Sequence, residues 1–181
     1  MKHDTWARAH GFEFFGFYMV GLNSKIFMCI WREEVGLRFI AAYIMPAKTA
    51  IDFVTNLDQE RGLTTASAKD GLFFPNSPGN YMQGYTSMPI DERWQKHLEM
   101  EQYLERELGA VPSVHPLEFE QMFLRAMRRQ MMFVRSIPWW YIKTVYWCFV
   151  RRPRMANKSI EAQYRAGLIE LDEPVYDVEV M

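Results

Sequence analysis

The chain has 181 residues, of which 49% are hydrophobic and 24% charged, with a formal net charge of −1. That composition excludes a wholly disordered chain, which would be poorer in apolar residues and dominated by one charge sign. The length suits a single domain over 1–181, able to bury roughly 70% of its unfolded surface.

Residues 12–20 (FEFFGFYMV), 25–31 (KIFMCIW) and 37–45 (LRFIAAYIM) are apolar, aromatic and β-branched runs. Short gaps at 21–24 and 32–36, each containing glycine, separate them, which predicts an antiparallel meander. Strict alternation puts Phe12, Phe14, Tyr18 and Val20 on one face of the first strand and Phe15, Phe17 and Met19 on the other. Both faces are then apolar, so both must be covered, by helices, a ligand, a subunit or a membrane. Pro46 ends the third run. The spacing of Ile51, Phe53, Val54 and Leu57 predicts a short helix over 49–61, closed by Gly62. Residues 62–88 are rich in Gly and Pro, with room for a fourth strand at 64–74. They keep Phe73, Phe74, Tyr81 and Tyr85, as an ordered functional loop would.

The second half reads as helical. Residues 91–108 form a helix stopped by Gly109 and Pro112, and another begins near Pro116 and runs to about 135. A third covers 139–150, a short one 159–166, and the tail 168–181 alternates like an edge strand. The expected fold is therefore α+β: an N-terminal antiparallel sheet of three to four strands packed by helices from 89–167.

Charge is laid out unevenly along this plan. Residues 1–120 and 161–181 are each net −5, whereas 121–160 carry nine basic residues and no acid. Near-neutrality therefore does not exclude an anionic partner, because fields act over about a Debye length. Arg125, Arg128, Arg129 and Arg135 share one face of the 116–135 helix, opposite a stripe of Phe119, Met122, Phe123 and Ala126. Lys143, Arg151, Arg152 and Arg154 extend the block. Within it lie Trp139, Trp140, Tyr141 and Trp147, residue types that favour a membrane–water interface because a ring is buried while its polar atom stays wet. Residues 136–150 fall short of the ~20 needed to span a bilayer, and Lys143 sits at their centre. Lying in the interface fits better than crossing it.

Other chemistries have less support. Aromatics interleaved with arginine could bind nucleic acid, but the sequence pI of about 6.4 disfavours it. Cys29 and Cys148 make neither a disulfide framework nor a zinc site, and no early apolar run suggests a secretory leader, so the expected location is cytoplasmic, at a membrane face. No phosphate loop, dinucleotide fingerprint or GxSxG elbow occurs, and no cofactor or metal is implied. His97 and Glu101 fall four residues apart on the apolar side of the 91–108 helix, as a carboxylate-oriented base would. With Phe73, Phe74, Tyr81 and Tyr85 they suggest an alternative: a small-molecule binder or enzyme with a pocket under the 62–88 loop. The favoured expectation is a non-enzymatic binding or assembly protein, homo-oligomeric, acting at an anionic surface, either a membrane or a protein partner.

Overall fold

A computed structural model of the chain describes residues 2–21, 25–44, 49–58, 61–67, 72–115 and 117–171. The turn at 22–24, Pro46, Gly71, Pro116 and the tail 172–181 lie outside the described residues.

Helix α1 (Lys2–Ala9) precedes six strands, β1 (Phe12–Gly21), β2 (Lys25–Glu33), β3 (Arg38–Ile44), β4 (Thr49–Asn56), β5 (Gly62–Ser67) and β6 (Asn80–Tyr85). They form one sheet in the order β1-β2-β3-β4-β5-β6, antiparallel throughout except for the parallel β5–β6 pair. Helices α2 (Ile90–Leu108), α3 (Phe119–Ser136), α4 (Trp140–Tyr146), α5 (Arg152–Met155) and α6 (Ile160–Arg165) follow, with a π-helical turn over Trp147–Arg151 between α4 and α5. The α+β class holds, with six strands in place of three or four.

Two of the additional strands have physical explanations. Residues 49–56 are β4, not helix, because the strand lies between β3 and β5 with both faces covered, so its apolar positions lose strict alternation. Strand β6 is reached by a long connection because a parallel pair cannot be closed by a tight hairpin. The Gly/Pro-rich loop is that crossover. Along 168–171 the chain forms bends rather than a strand.

A bulge in β1 changes which side chains share a face. Phe14 pairs with Trp31 and Gly16 with Ile30, so Phe15 is the extra residue and the alternation inverts beyond it. Phe12, Phe14, Phe17 and Met19 therefore lie on one face, and the Phe14 and Phe17 rings meet edge-on at 5.0 Å. Phe15 and Tyr18 lie on the other, where Tyr18 packs 4.8 Å from Phe119 of α3.

The chain's own helices cover most of both faces. On the first, Ala7 of α1 and Trp94 of α2 close over Phe12, Cys29, Trp31, Ile51 and Phe53. Met100, Tyr103 and Leu104 continue the contact over Leu63 and Tyr81, joined by Ile160 of α6. Trp94, His97, Glu101 and Leu104 recur at helical spacing, which is what turns one stripe of α2 to the sheet. Gly109 ends that helix at φ 61°, donating its N–H to the Glu105 carbonyl, in a conformation that costs a side-chain-bearing residue energy. On the second face, α3 lays Phe119, Met122 and Phe123 over Met28, Ile30, Phe39 and Ala41. Each large side chain buried this way contributes roughly 2–3 kcal/mol. One corner stays open: Phe17, Met19, Phe27 and Ile44 are exposed on the first face, beyond the reach of α1 and α2.

Candidate functional site

The aromatic, basic segment takes its shape from two prolines. Pro138 forces Ile137 into an extended conformation and ends α3. Trp139 then adopts φ 59°, ψ 33°, a left-handed conformation that is unusual for a bulky residue, and α4 starts. Downstream, Pro153 has no N–H to give the Phe149 carbonyl. The helix widens before it, and the Arg152 N–H reaches back to the Trp147 carbonyl in a π turn.

The result divides the aromatics. Trp139 is 77% exposed, Tyr141 91% and Phe149 78%, and Ile142, Val145 and Tyr146 are exposed with them. Spacing of Tyr141, Val145 and Phe149 by four puts them on one outward stripe. Trp140 is half-buried, 6.5 Å from the Phe74 ring. Trp147 is 6% exposed and packs with Leu72, Met155 and Leu168. Of the four aromatic residues singled out in the sequence, Trp139 and Tyr141 are at the surface and Trp147 belongs to the core. Phe149, and Ile142 and Val145, which composition alone does not mark, complete the outward stripe.

The basic block divides as well. Arg128, Arg135, Lys143 and Arg154 are exposed. Arg152 stacks its guanidinium 5.7 Å from the Phe73 ring centre, and Arg151 donates to the Leu168 carbonyl. Arg125 and Arg129 turn inward to line a cavity of about 230 Å3 between α3 and the sheet, where Arg129 donates to Asn80 Oδ1 at 3.0 Å. A second cavity, about 510 Å3, lies beneath α4 and is lined by Trp140, Lys143, Trp147 and Arg151.

His97 and Glu101 form a buried polar chain on the opposite face of the sheet. The His97 Nε2–H donates to Thr55 Oγ1 at 2.8 Å, and the Thr55 hydroxyl donates to Glu101 Oε1. Arg38 grips the same carboxylate, Nε to Oε1 at 2.9 Å and Nη2 to Oε2 at 2.8 Å, and reaches Glu33 through Nη1 at 2.8 Å. On the other side Thr65 donates to His97 Nδ1 at 2.8 Å, Gln83 Nε2 donates to Thr65 at 2.9 Å, and the Tyr85 hydroxyl donates to Gln83 at 3.1 Å. Every donor in this order points at an acceptor, which assigns His97 as the neutral Nε2–H tautomer. Burial lowers the His97 pKa below its usual value, outweighing the hydrogen bond and charge of Glu101. Burial pushes the Glu101 carboxyl up, but the adjacent His97 ring and the hydrogen bonds from Arg38 and Thr55 bring it to about 2.

The side chains expected to line a pocket under the 62–88 loop do not share either of these cavities. His97 is fully buried with both ring nitrogens engaged, and neither it nor Glu101 lines either cavity. Phe73 is exposed, Phe74 packs edge-on against it, and Tyr85 is buried within the polar chain. Of that set, Tyr81 alone lines the cavities near the loop. Among the described residues no cluster of His, Cys, Asp or Glu could hold a metal ion, and no helix is long and apolar enough to cross a membrane. No family model, curated protein or solved structure matches this chain.

Proposed function

We propose that this is a non-enzymatic binding protein that seats on an anionic membrane surface through α4 and the π turn after it. The observation that carries the reading is the outward stripe of Trp139, Tyr141, Ile142, Val145 and Phe149, all exposed, on a stretch of chain whose Arg135, Lys143 and Arg154 are exposed as well. An exposed apolar and aromatic face on a cation-rich segment is what an interfacial helix presents to lipid. Each cation near an anionic leaflet contributes about 1 kcal/mol, and the rings add burial in the headgroup region. Trp139 supports the same reading: a bulky residue held left-handed at an exposed tip is strain retained away from any packing need. The test is sedimentation with vesicles of mixed phosphatidylserine and phosphatidylcholine. Binding should weaken as salt rises and be much lower on phosphatidylcholine alone.

A second observation favours self-association as well. Strand β1 is an edge of the sheet, and beside it Phe17, at 71% exposure, lies with Met19, Phe27 and Ile44 in an uncovered apolar corner. This corner runs from β1 to Ile44 on β3, whereas α4 packs near β6 at the far edge of the sheet. A second copy stacked on this face about a two-fold axis would cover it.

A further inference from the structure

We propose that the cavity between α3 and the sheet is a binding site for a small apolar carboxylate. It is separate from the α4 surface and concerns a soluble ligand rather than a lipid bilayer. Its polar end lies where Asn56, Gly62 and Asn80 stand side by side across β4, β5 and β6. Asn56 is 8% exposed, its Nδ2 has no hydrogen-bond partner among the described residues, and the side chain lines the cavity. A buried amide donor left without an acceptor costs about 1–3 kcal/mol, so a ligand oxygen placed there recovers that penalty.

The guanidinium of Arg129 is held at this end by Asn80 Oδ1 at 3.0 Å. Arg61 lines the same region, with Nη2 on Asp58 Oδ1 at 2.6 Å. Arg61 is already paired with Asp58, and the remaining charged lining is Arg125 and Arg129 with one carboxylate, Asp52, so guanidinium groups outnumber carboxylates there. Asp52 is four residues up β4 from Asn56, roughly 13 Å at strand rise, and it accepts a hydrogen bond from Tyr43. The anion therefore belongs at the Asn56 end. Between the two ends the wall is apolar, formed by Val54 and Met82 from the sheet and by Phe119, Met122 and Phe123 from α3.

Size narrows the ligand further. Benzene fills an engineered apolar cavity of about 150 Å3. The volume here, about 230 Å3, scales to a ring or chain of roughly eight to ten carbons. A guanidinium and a neighbouring amide are the groups that read a carboxylate's two oxygens.

Titration calorimetry with octanoate and 1-octanol on the full chain, without lipid, tests this. Octanoate should bind at least tenfold more tightly than octanol. Asn56→Asp should remove that preference by setting a carboxylate against the ligand's own, while octanol binding stays. Ala126→Trp, which fills the cavity from α3, should abolish binding of both while vesicle binding and the thermal midpoint stay near wild type. Equal affinities for octanoate and octanol would overturn the proposal. So would no octanoate binding up to millimolar concentration, or octanoate binding that survives in Ala126→Trp.

Discussion

Trp147 and Phe149 stand two residues apart in one aromatic run and end on opposite sides of the π turn, the first 6% exposed and the second 78%. Stability and surface binding should therefore separate between them. Trp147→Ala removes a ring packed on Leu72, Met155 and Leu168 and should cost about 3–4 kcal/mol in urea unfolding. Phe149→Ser should stay within about 0.5 kcal/mol of wild type yet reduce vesicle binding severalfold. Equal destabilisation by the two would contradict the assignment of Phe149 to the surface.

Trp139 offers a test in which stability and binding move in opposite directions. Glycine adopts a φ of 59° without the penalty a side chain carries, so Trp139→Gly should stabilise the fold by about 1 kcal/mol. The same change removes an exposed ring beside the α4 surface, and vesicle affinity should fall. A purely structural Trp139 would lose stability on this substitution, and a thermal melt distinguishes the two outcomes.

The buried polar chain sets a pH dependence with a definite sign. His97 has a folded pKa below its ordinary 6.5, so its contribution is present above that value and is lost as pH falls below it. Glu101, at about 2 against an ordinary 4.5, contributes roughly 3 kcal/mol above pH 4.5, lost as pH falls towards 2. Urea midpoints should decline from pH 7 to 3. Glu101→Ala should cost about 3 kcal/mol at pH 7, because Arg38 and Thr55 lose their acceptor, and should flatten the decline below pH 4.5. Midpoints constant across this range in the wild type would contradict the network.

The open corner beside β1 predicts a dimer. Sedimentation equilibrium at micromolar concentration should give twice the 21.5 kDa chain mass. Phe17→Lys should return the monomer with its fold intact, since Phe17 is exposed and its loss opens no core. A wild-type monomer at these concentrations would remove the self-association proposal without touching the membrane one.

What the sequence made legible follows from the range of the interactions involved. Strands β1 to β3, helix α2 and the His97–Glu101 pair depend on neighbours a few residues away, and local patterning carries them. Strand β4 reads as a helix because a strand covered on both faces loses its period of two. The β1 bulge leaves no composition signature, yet it inverts the face of every residue after it and moves Phe17 beside Phe14. Thr55, Thr65 and Arg38 reach His97 and Glu101 across separations of 32 to 63 residues, which no local reading recovers. Composition marks the aromatic basic segment. It does not divide that segment into outward and inward residues, because the π turn before Pro153 resets the helical phase between Tyr146 and Arg152. Helix α1 is short and polar, and what fixes it is tertiary: Trp6 donates to Asp91 at 2.7 Å and Trp31 to Asp4 at 3.0 Å.

In the proposed function, the exposed face of α4 and the cations of its segment seat the protein on an anionic membrane. The most direct measurement is a salt titration of binding to phosphatidylserine-containing vesicles for the wild type and for the Arg135→Gln/Lys143→Gln/Arg154→Gln variant. All three side chains are at the surface, so the variant should fold with little change in stability. The wild type should bind at low salt and release as ionic strength rises, and the variant should bind at least tenfold more weakly with a shallower salt dependence. Wild-type binding that is insensitive to salt, equal on uncharged vesicles, or unchanged in the triple variant would contradict the account.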